Sequence, residues 1–226
     1  MKICIDAGHN HSGFDTGAAA NGLKEQDVTF KIAELLKQKL EKAGLQTIMT
    51  REKNTTNLGS SVSTSIAKRA EISNKNNCDY FISLHCNAGG GTGTEVLIYK
   101  KGGKAEQLAE KILTPLTALL PLRNRGVKEA NLGVLRDTDC PAVLVETAFL
   151  DHPSDASLLK QKEEVFADAV FRGILEYANI PFEPSIQDIK TYLAQKWNLS
   201  QPEEVFRLLD THPYRDTLYQ KIYESY

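Results

Sequence analysis

Residues 2–9 read KICIDAGH, a short apolar run that ends at a glycine and a histidine. Such a run predicts a buried strand that starts almost at the first residue. From Glu25 to Gly44 the apolar residues recur at helical spacing, so a helix is expected next. The chain therefore opens as a strand, a loop that carries His9, and a helix, which is the beginning of an α/β fold.

The same alternation continues to about residue 180. It predicts strands at 45–50, 79–84, 94–99, 131–136 and 142–147, and helices at 66–74, 105–120 and 158–177. Alternating strands and helices predict an α/β fold, with a mostly parallel twisted sheet and helices on both faces. In such sheets the loops that follow the strands meet at one edge, where we expect the chemistry.

Composition changes near Pro181, which predicts two domains: residues 1–180, and a small all-helical C-terminal domain at 181–226. Ser200 and Glu203 have the spacing of a capping box, with Pro202 in the first turn of a helix. We expect three short helices in this domain, at 185–197, 201–210 and 213–225. Aromatic residues are frequent there, and the simplest interpretation is that they fill a small core.

Composition also excludes several classes of protein. The chain has 27 basic and 29 acidic residues, a net charge of −2, which argues against a nucleic-acid binder that works by bulk electrostatics. No apolar run is long enough to span a bilayer, so a membrane protein is not expected. The N-terminus lacks the pattern of a signal peptide, so we expect synthesis in the cytoplasm. The four cysteines form no C-x-x-C pair and are interpreted as reduced thiols.

Four ionisable residues fall near strand ends or at a helix start. His9 follows the first predicted strand, His85 ends another, Glu25 opens the first helix, and Glu146 ends the strand at 142–147. Two imidazoles and a carboxylate are a common ligand set for catalytic zinc, and a second carboxylate would complete a metal hydrolase. A single histidine or glutamate at a strand end is more often a hydrogen-bonded structural residue, and spacing alone does not separate the two interpretations.

Three strings make the prediction more specific: ICIDAGHN with GFDTGAAANGLKEQD, SLHCNA, and PAVLVETAFLDHPSDASLL. Together they resemble the zinc-dependent N-acetylmuramoyl-L-alanine amidases of the amidase_3 family. The likeness covers residues 1–180 in order, including Thr50-Arg51, Arg69 and RGVKEANLGVLR at 125–136. The C-terminal domain lies outside the resemblance.

The resemblance implies a role for each of the four residues. His9, Glu25 and His85 match the family's Zn²⁺ ligands, and Glu146 matches its catalytic carboxylate. The implied reaction is hydrolysis, by a zinc-activated water, of the amide bond that joins N-acetylmuramic acid to L-alanine in peptidoglycan. The sequence departs from the family's usual pattern after His9, where Asn10 and His11 intervene, and after Glu146, where Thr147 replaces a common glycine.

Other candidate residues have two interpretations each. Asp6 and Asp15 flank the His9 loop and could accept a hydrogen bond from a ligand imidazole, or could cap turns. Arg125, with its basic neighbours Arg123 and Lys128, could meet carboxylates of the peptide, or could belong to a solvated loop.

The biological context also has alternatives. An enzyme of this class without a leader resembles a bacteriophage endolysin, made in the host cytoplasm and acting on the cell wall. The competing interpretations are a bacterial autolysin, or a sporulation or cell-division amidase, and, from another class, a non-catalytic wall-binding protein on the same scaffold. The expected partner is peptidoglycan, and the C-terminal helices could bind the wall or mediate self-association.

Overall fold

The computed structural model describes residues 1–182 and 202–224 and, between them, residues 186, 189, 190, 193, 194, 197 and 199. Its contacts divide the chain into two compact units, Met1–Ile180 and Pro181–Tyr226. Among the described residues, no helix is both long enough and apolar enough to cross a membrane.

The first unit contains eight strands and six helices. The strands are β1 (Lys2–Ala7), β2 (Ala19–Ala20), β3 (Leu23–Lys24), β4 (Gln46–Met49), β5 (Tyr80–Asn87), β6 (Thr94–Ile98), β7 (Asn124–Glu129) and β8 (Ala142–Phe149). The helices are α1 (Glu25–Lys42), α2 (Val62–Lys75), α3 (Lys104–Leu119), α4 (Gly133–Arg136), α5 (Pro153–Gln161) and α6 (Glu163–Tyr177).

Six of the strands form one sheet in the order β4-β1-β5-β8-β6-β7, and β2 and β3 form a small hairpin. All neighbours in the large sheet run parallel except β6 and β8, which are antiparallel. The prediction of a mostly parallel α/β sheet is therefore confirmed. The reversal at β6 has a local consequence, since it places Glu95 directly opposite Glu146.

The register of the central strands brings several polar residues to one face of the sheet. Asp6, Ser83 and Leu144 lie side by side on β1, β5 and β8, and His85 pairs with Glu146 two residues further on. Because every second side chain of a strand points to the same face, Asp6, His85 and Glu146 share that face.

Helices cover both faces of the sheet. On the face of Asp6 and His85, α2 and α4 pack over an apolar cluster that includes Cys4, Phe81, Val134 and Leu144. The alternate side chains of the same strands, such as Ile5 and Val145, are also fully buried. They are covered by α1 and α3, which contact the strands, and α6 packs against both of these helices.

The segment 131–136 is not the predicted strand. Residues Gly133–Arg136 form the short helix α4, and the neighbouring strand is β7, at Asn124–Glu129. Val134 and Leu135 are both buried in the same apolar cluster. Adjacent residues of a strand would point to opposite faces, whereas one turn of helix turns both toward the sheet.

The long helix predicted at 158–177 is two helices. α5 begins earlier, at Pro153, a residue favoured in a first helical turn. It ends at Gln161, and α6 starts at Glu163; Lys162 between them has a φ of −130° and a ψ of 27°, outside helical geometry. Because no glycine or proline lies at this break, the spacing of apolar residues predicts one continuous helix.

The second unit contains the helices α7 (Pro202–Asp210) and α8 (Arg215–Glu224). These match two of the three predicted helices, while much of the first, with Ser200 of the expected capping box, lies outside the described residues. Ile189, Leu193, Phe206 and Tyr219 form a buried apolar cluster, with Trp197 packed against it. Several aromatic residues of this unit therefore fill its own core.

Candidate active site

His9 is positioned where the end of β1 lies close to β5. It follows Gly8, whose amide donates to the Leu84 carbonyl oxygen at 3.0 Å. A Cβ on Gly8 would lie 2.6 Å from ring atoms of His85, so only glycine fits there. His9 itself has a φ of 67°, a left-handed conformation that is uncommon for residues other than glycine. This turn brings the His9 and His85 rings to a centroid distance of 4.6 Å.

Glu25 joins the two histidines from the start of α1. Its Oε1 lies 3.0 Å from Nε2 of His9 and 3.1 Å from Nδ1 of His85. The amides of Ala18 and Cys86 also donate to this carboxylate, at 2.9 and 3.0 Å. A carboxylate in the first turn of a helix is favoured by the helix dipole.

These three residues could hold a metal ion, since the ligand atoms of His9, Glu25 and His85 all lie within 4.8 Å of one another. The two distances to Glu25 are close to the roughly 3.3 Å that separates neighbouring ligands around a tetrahedral zinc with bonds of about 2.0–2.1 Å. Burial alone would raise the pKa of Glu25, but hydrogen bonds with His85 and His9 hold that pKa well below its usual range. The donor set is anionic and suits a cation.

Asp15 orients His9 from the side away from Glu25. Its Oδ1 lies 2.9 Å from Nδ1 of His9, and its Oδ2 accepts a hydrogen bond from the Ser65 hydroxyl at 2.7 Å. A hydrogen bond of this kind on the second ring nitrogen commonly fixes the orientation and tautomer of a metal-binding histidine.

Asp6 has different partners, which corrects the expectation of a hydrogen bond from a ligand imidazole to this carboxylate. Its fully buried carboxylate accepts hydrogen bonds from Thr50 at 2.6 Å, Ser83 at 2.7 Å and Arg69 at 2.8 Å. Thr50 follows β4, Ser83 lies on β5 and Arg69 lies on α2, so Asp6 ties these three elements to β1.

Two buried arginines hold the backbone that leads to His9. Arg69 donates to the Ala7 carbonyl oxygen at 2.8 Å. Arg51 donates to the carbonyl oxygens of Ala7 and Gly8 at 3.1 and 3.2 Å. Both side chains are almost completely buried. Sequence reasoning noted their match to a family motif but not this geometric role.

Glu146 lines the same cavity, of about 350 Å³, as the three possible ligands. Its Oε2 is buried and has no hydrogen-bond partner among the described residues. Burial is the main reason that the pKa of Glu146 is raised to about 7; the nearby His85 opposes this effect and Glu25 adds to it. A carboxyl group with a pKa near neutrality can both accept and release a proton.

Arg125 lies outside the group that lines this cavity. Its Nε donates to Oε2 of Glu95 at 2.7 Å, and its guanidinium lies 4.8 Å from the centre of the Phe149 ring. Glu95 also pairs with Lys128 and accepts from Asn87, a residue of the cavity wall, at 2.9 Å. Sequence analysis missed Glu95, since only the antiparallel β6 reveals that it neighbours Glu146.

Comparison with known proteins agrees with this geometry. Residues 3–176 match the Amidase_3 family model, described as N-acetylmuramoyl-L-alanine amidase. The amidase CwlM of Bacillus licheniformis is 38% identical over 176 residues, which are 76% of this chain and 65% of CwlM. The endolysin of Bacillus phage SPP1 is 34% identical over 188 residues, 79% of this chain and 66% of the endolysin. This chain thus corresponds to slightly under two thirds of each relative.

Among solved structures, the CwlD amidase from Clostridioides difficile, in complex with the GerS lipoprotein, superposes with a TM-score of 0.73 at 27% identity. That match covers 80% of this chain and 99% of CwlD. Both the fold and the sequence match span the unit that carries the candidate site. The chain therefore belongs to the Amidase_3 family.

Proposed function

We propose that this protein is a peptidoglycan hydrolase that cleaves the amide bond between N-acetylmuramic acid and L-alanine. The observation that carries the proposal is one cavity that holds a His9–Glu25–His85 group and, beside it, a buried carboxylate oxygen of Glu146 that has no hydrogen-bond partner among the described residues. Membership of the Amidase_3 family supplies the substrate class.

We propose Zn²⁺ as the cofactor, held by His9, Glu25 and His85. Two histidines and one carboxylate are a ligand set found in catalytic zinc sites, which leave a position open for water or substrate. When bound, zinc polarises a carbonyl group and lowers the pKa of water toward about 7. Asp15 would keep Nε2 of His9 directed at the ion by holding its Nδ1.

Glu146 supplies the proton transfers. In its ionised form it accepts a proton from the water that attacks the amide carbon. The protonated carboxyl group then donates that proton to the nitrogen of L-alanine as the C–N bond breaks, and the products are a free lactyl carboxylate and a new amino terminus. The pKa near 7 suits both steps at neutral pH.

The direct test is the release of L-alanine amino termini from purified, insoluble peptidoglycan. We expect release by the wild type, loss of release after treatment with a chelator, and recovery on addition of Zn²⁺. His9→Ala and His85→Ala are expected to lose both the metal, as measured by elemental analysis, and the activity. New reducing sugars in place of amino termini, or activity indifferent to chelation, would contradict the proposal.

We propose, further, that the enzyme acts as a phage endolysin. The likeness to the endolysin of phage SPP1 supports this role, while the likeness to the bacterial amidase CwlM leaves an autolysin or sporulation amidase as the alternative. When the chain is expressed in a Gram-positive host, we expect turbidity to fall only after the membrane is opened with a pore-forming peptide. Lysis without that treatment, and activity in the culture medium, would instead favour an exported autolysin.

For the C-terminal unit, Pro181–Tyr226, we propose a role in wall binding or in self-association, with the catalytic chemistry confined to residues 1–180. Phe206 and Tyr219 are buried in the unit's own core, so neither is offered to a ligand. Tyr214, at 72% exposed, is the aromatic side chain of this unit that is presented to solvent among the described residues, and it favours wall binding.

A further inference from the structure

A pair of cations, the partly buried Arg125 and the exposed Lys128, lies on β7, two strands from Glu146 on β8. Arg125 and Lys128 of β7 both contact the buried carboxylate of Glu95 on β6. Glu95 is in turn directly opposite Glu146 on β8. Two cations and one carboxylate leave this cluster with one net positive charge beside a site whose other ionisable groups are largely acidic.

Contacts hold the guanidinium of Arg125 in place, but they do not use all of its hydrogen-bond donors. Its Nε donates to Glu95, and its central carbon, Cζ, lies over the ring of Phe149 at 4.8 Å from the ring centre. In the part of the chain that the structure describes, no acceptor is bonded to its two terminal nitrogens. A guanidinium fixed at Nε and on one face, with both ends free, has the geometry that binds a carboxylate through two parallel hydrogen bonds.

Phe149, beneath the guanidinium, is itself held in place. A Cβ on Gly91 would lie 2.4 Å from two carbons of this ring, so the glycine loop packs closely against it. The amides of Gly89 and Gly90 donate to Asp151 at 2.8 Å each, which anchors that loop. The surface that supports Arg125 is therefore built from mutually restrained groups, as a pre-organised binding site requires.

The distance between Glu146 and Arg125 suits a short peptide whose scissile nitrogen lies beside Glu146. Neighbouring strands lie about 4.8 Å apart, so β7 is roughly 10 Å from β8, and the long arginine side chain shortens the gap. Consecutive Cα atoms of a peptide are about 3.8 Å apart. A carboxylate on the residue that follows L-alanine therefore lies within about 8 Å of the scissile nitrogen. Asn87, which donates a hydrogen bond to Glu95, also lines the cavity that contains Glu146.

We propose that Arg125 binds the first free carboxylate of the peptide that follows L-alanine, so that the enzyme prefers substrates in which this group is charged rather than amidated. The inference rests on the proposed function, because it concerns the same substrate. Glu95 and Phe149 act as positioning residues for Arg125, and Lys128 adds charge at the rim. Arg125 is thereby a specificity-determining residue.

The test uses the full-length holoenzyme and two soluble muramoyl peptides that differ only in this group, a carboxylate in one and a carboxamide in the other. We expect the wild type to have a kcat/KM about 10- to 100-fold higher for the carboxylate form. Arg125→Gln should lose that preference, because kcat/KM falls by a similar factor on the carboxylate and changes little on the carboxamide. Arg123→Gln, which removes the same charge from an exposed neighbour, should keep the preference.

The outcomes separate the two proposals. If Arg125→Gln loses as much activity on the carboxamide as on the carboxylate, Arg125 has a structural role only and the inference is overturned. Equal cleavage of both substrates by the wild type overturns it too. If the wild type releases L-alanine amino termini from neither of the two soluble substrates and not from whole peptidoglycan either, both the proposed function and this inference are wrong.

Discussion

Glu146→Gln is expected to lower kcat by between about 10²- and 10⁴-fold, the range found for general acid–base catalysis. Glutamine has nearly the same shape but cannot take the proton of the attacking water. Since Glu146 is not among the possible metal ligands, the zinc content of the variant should equal that of the wild type. The measurement is turnover on peptidoglycan together with elemental analysis. Loss of zinc along with activity would place Glu146 among the ligands instead.

The same variant has an expected effect on stability. An isolated carboxyl group whose pKa is raised by burial destabilises the fold once the pH exceeds its unfolded value of about 4.3, because ionisation is easier in the unfolded chain. Metal-free Glu146→Gln should therefore melt at or above the Tm of the metal-free wild type at pH 8, and this difference should disappear below about pH 4. Glu110→Gln, at an exposed position on α3, controls for the loss of one negative charge. A destabilised Glu146→Gln would show that the carboxylate has a structural partner.

Most of the site could be predicted from sequence because its residues sit at the ends of strongly patterned elements. His9 follows the end of β1 and Glu25 begins α1, while His85 and Glu146 lie two and three residues before the ends of β5 and β8, which extend past the predicted strands. The sheet register then brings residues distant in sequence together. Assigning zinc ligation and catalysis to them still depends on the family resemblance, and these roles remain predictions.

The parts that could not be predicted depend on tertiary context. Glu95 became a neighbour of Glu146 only through the reversal of β6, which apolar alternation does not reveal. The segment 131–136 has the composition of a strand, but packing against Phe81 and Leu144 favours a helical turn. Asp6 and Asp15 look equivalent in the sequence, and both lie near Arg69 in the structure. Only the structure shows that Asp15 contacts His9, whereas Asp6 accepts from the hydroxyls of Thr50 and Ser83.

Arg69→Met is expected to lower the free energy of unfolding by about 3–5 kcal/mol at pH 7, the cost of leaving one member of a buried ion pair uncompensated. Arg69 and Asp6 are both essentially inaccessible to solvent and are joined at 2.8 Å. Methionine preserves much of the volume but removes the charge and the hydrogen bond to the Ala7 carbonyl oxygen. For a chain of this size the loss corresponds to a fall in Tm of about 10 °C. Thermal and urea unfolding measure it.

The pH dependence distinguishes this mechanism from a simple packing defect. Burial would raise the pKa of Asp6, but Arg69 and the hydroxyls of Thr50 and Ser83 hold it below its usual range. In the wild type, Asp6 therefore stabilises the fold above its unfolded pKa of about 3.9, and that contribution is lost as the pH falls through the lower folded value.

Without Arg69, burial raises the pKa of Asp6, and ionisation then destabilises the fold as the pH rises. The stability difference between wild type and Arg69→Met should consequently be largest near neutral pH and should shrink below about pH 4. Lys68→Met, at an exposed neighbouring position that pairs only at the surface with Glu71, should change stability little at either pH. A deficit in Arg69→Met that is the same at pH 7 and pH 3.5 would mean that Arg69 acts through packing rather than through the charge of Asp6.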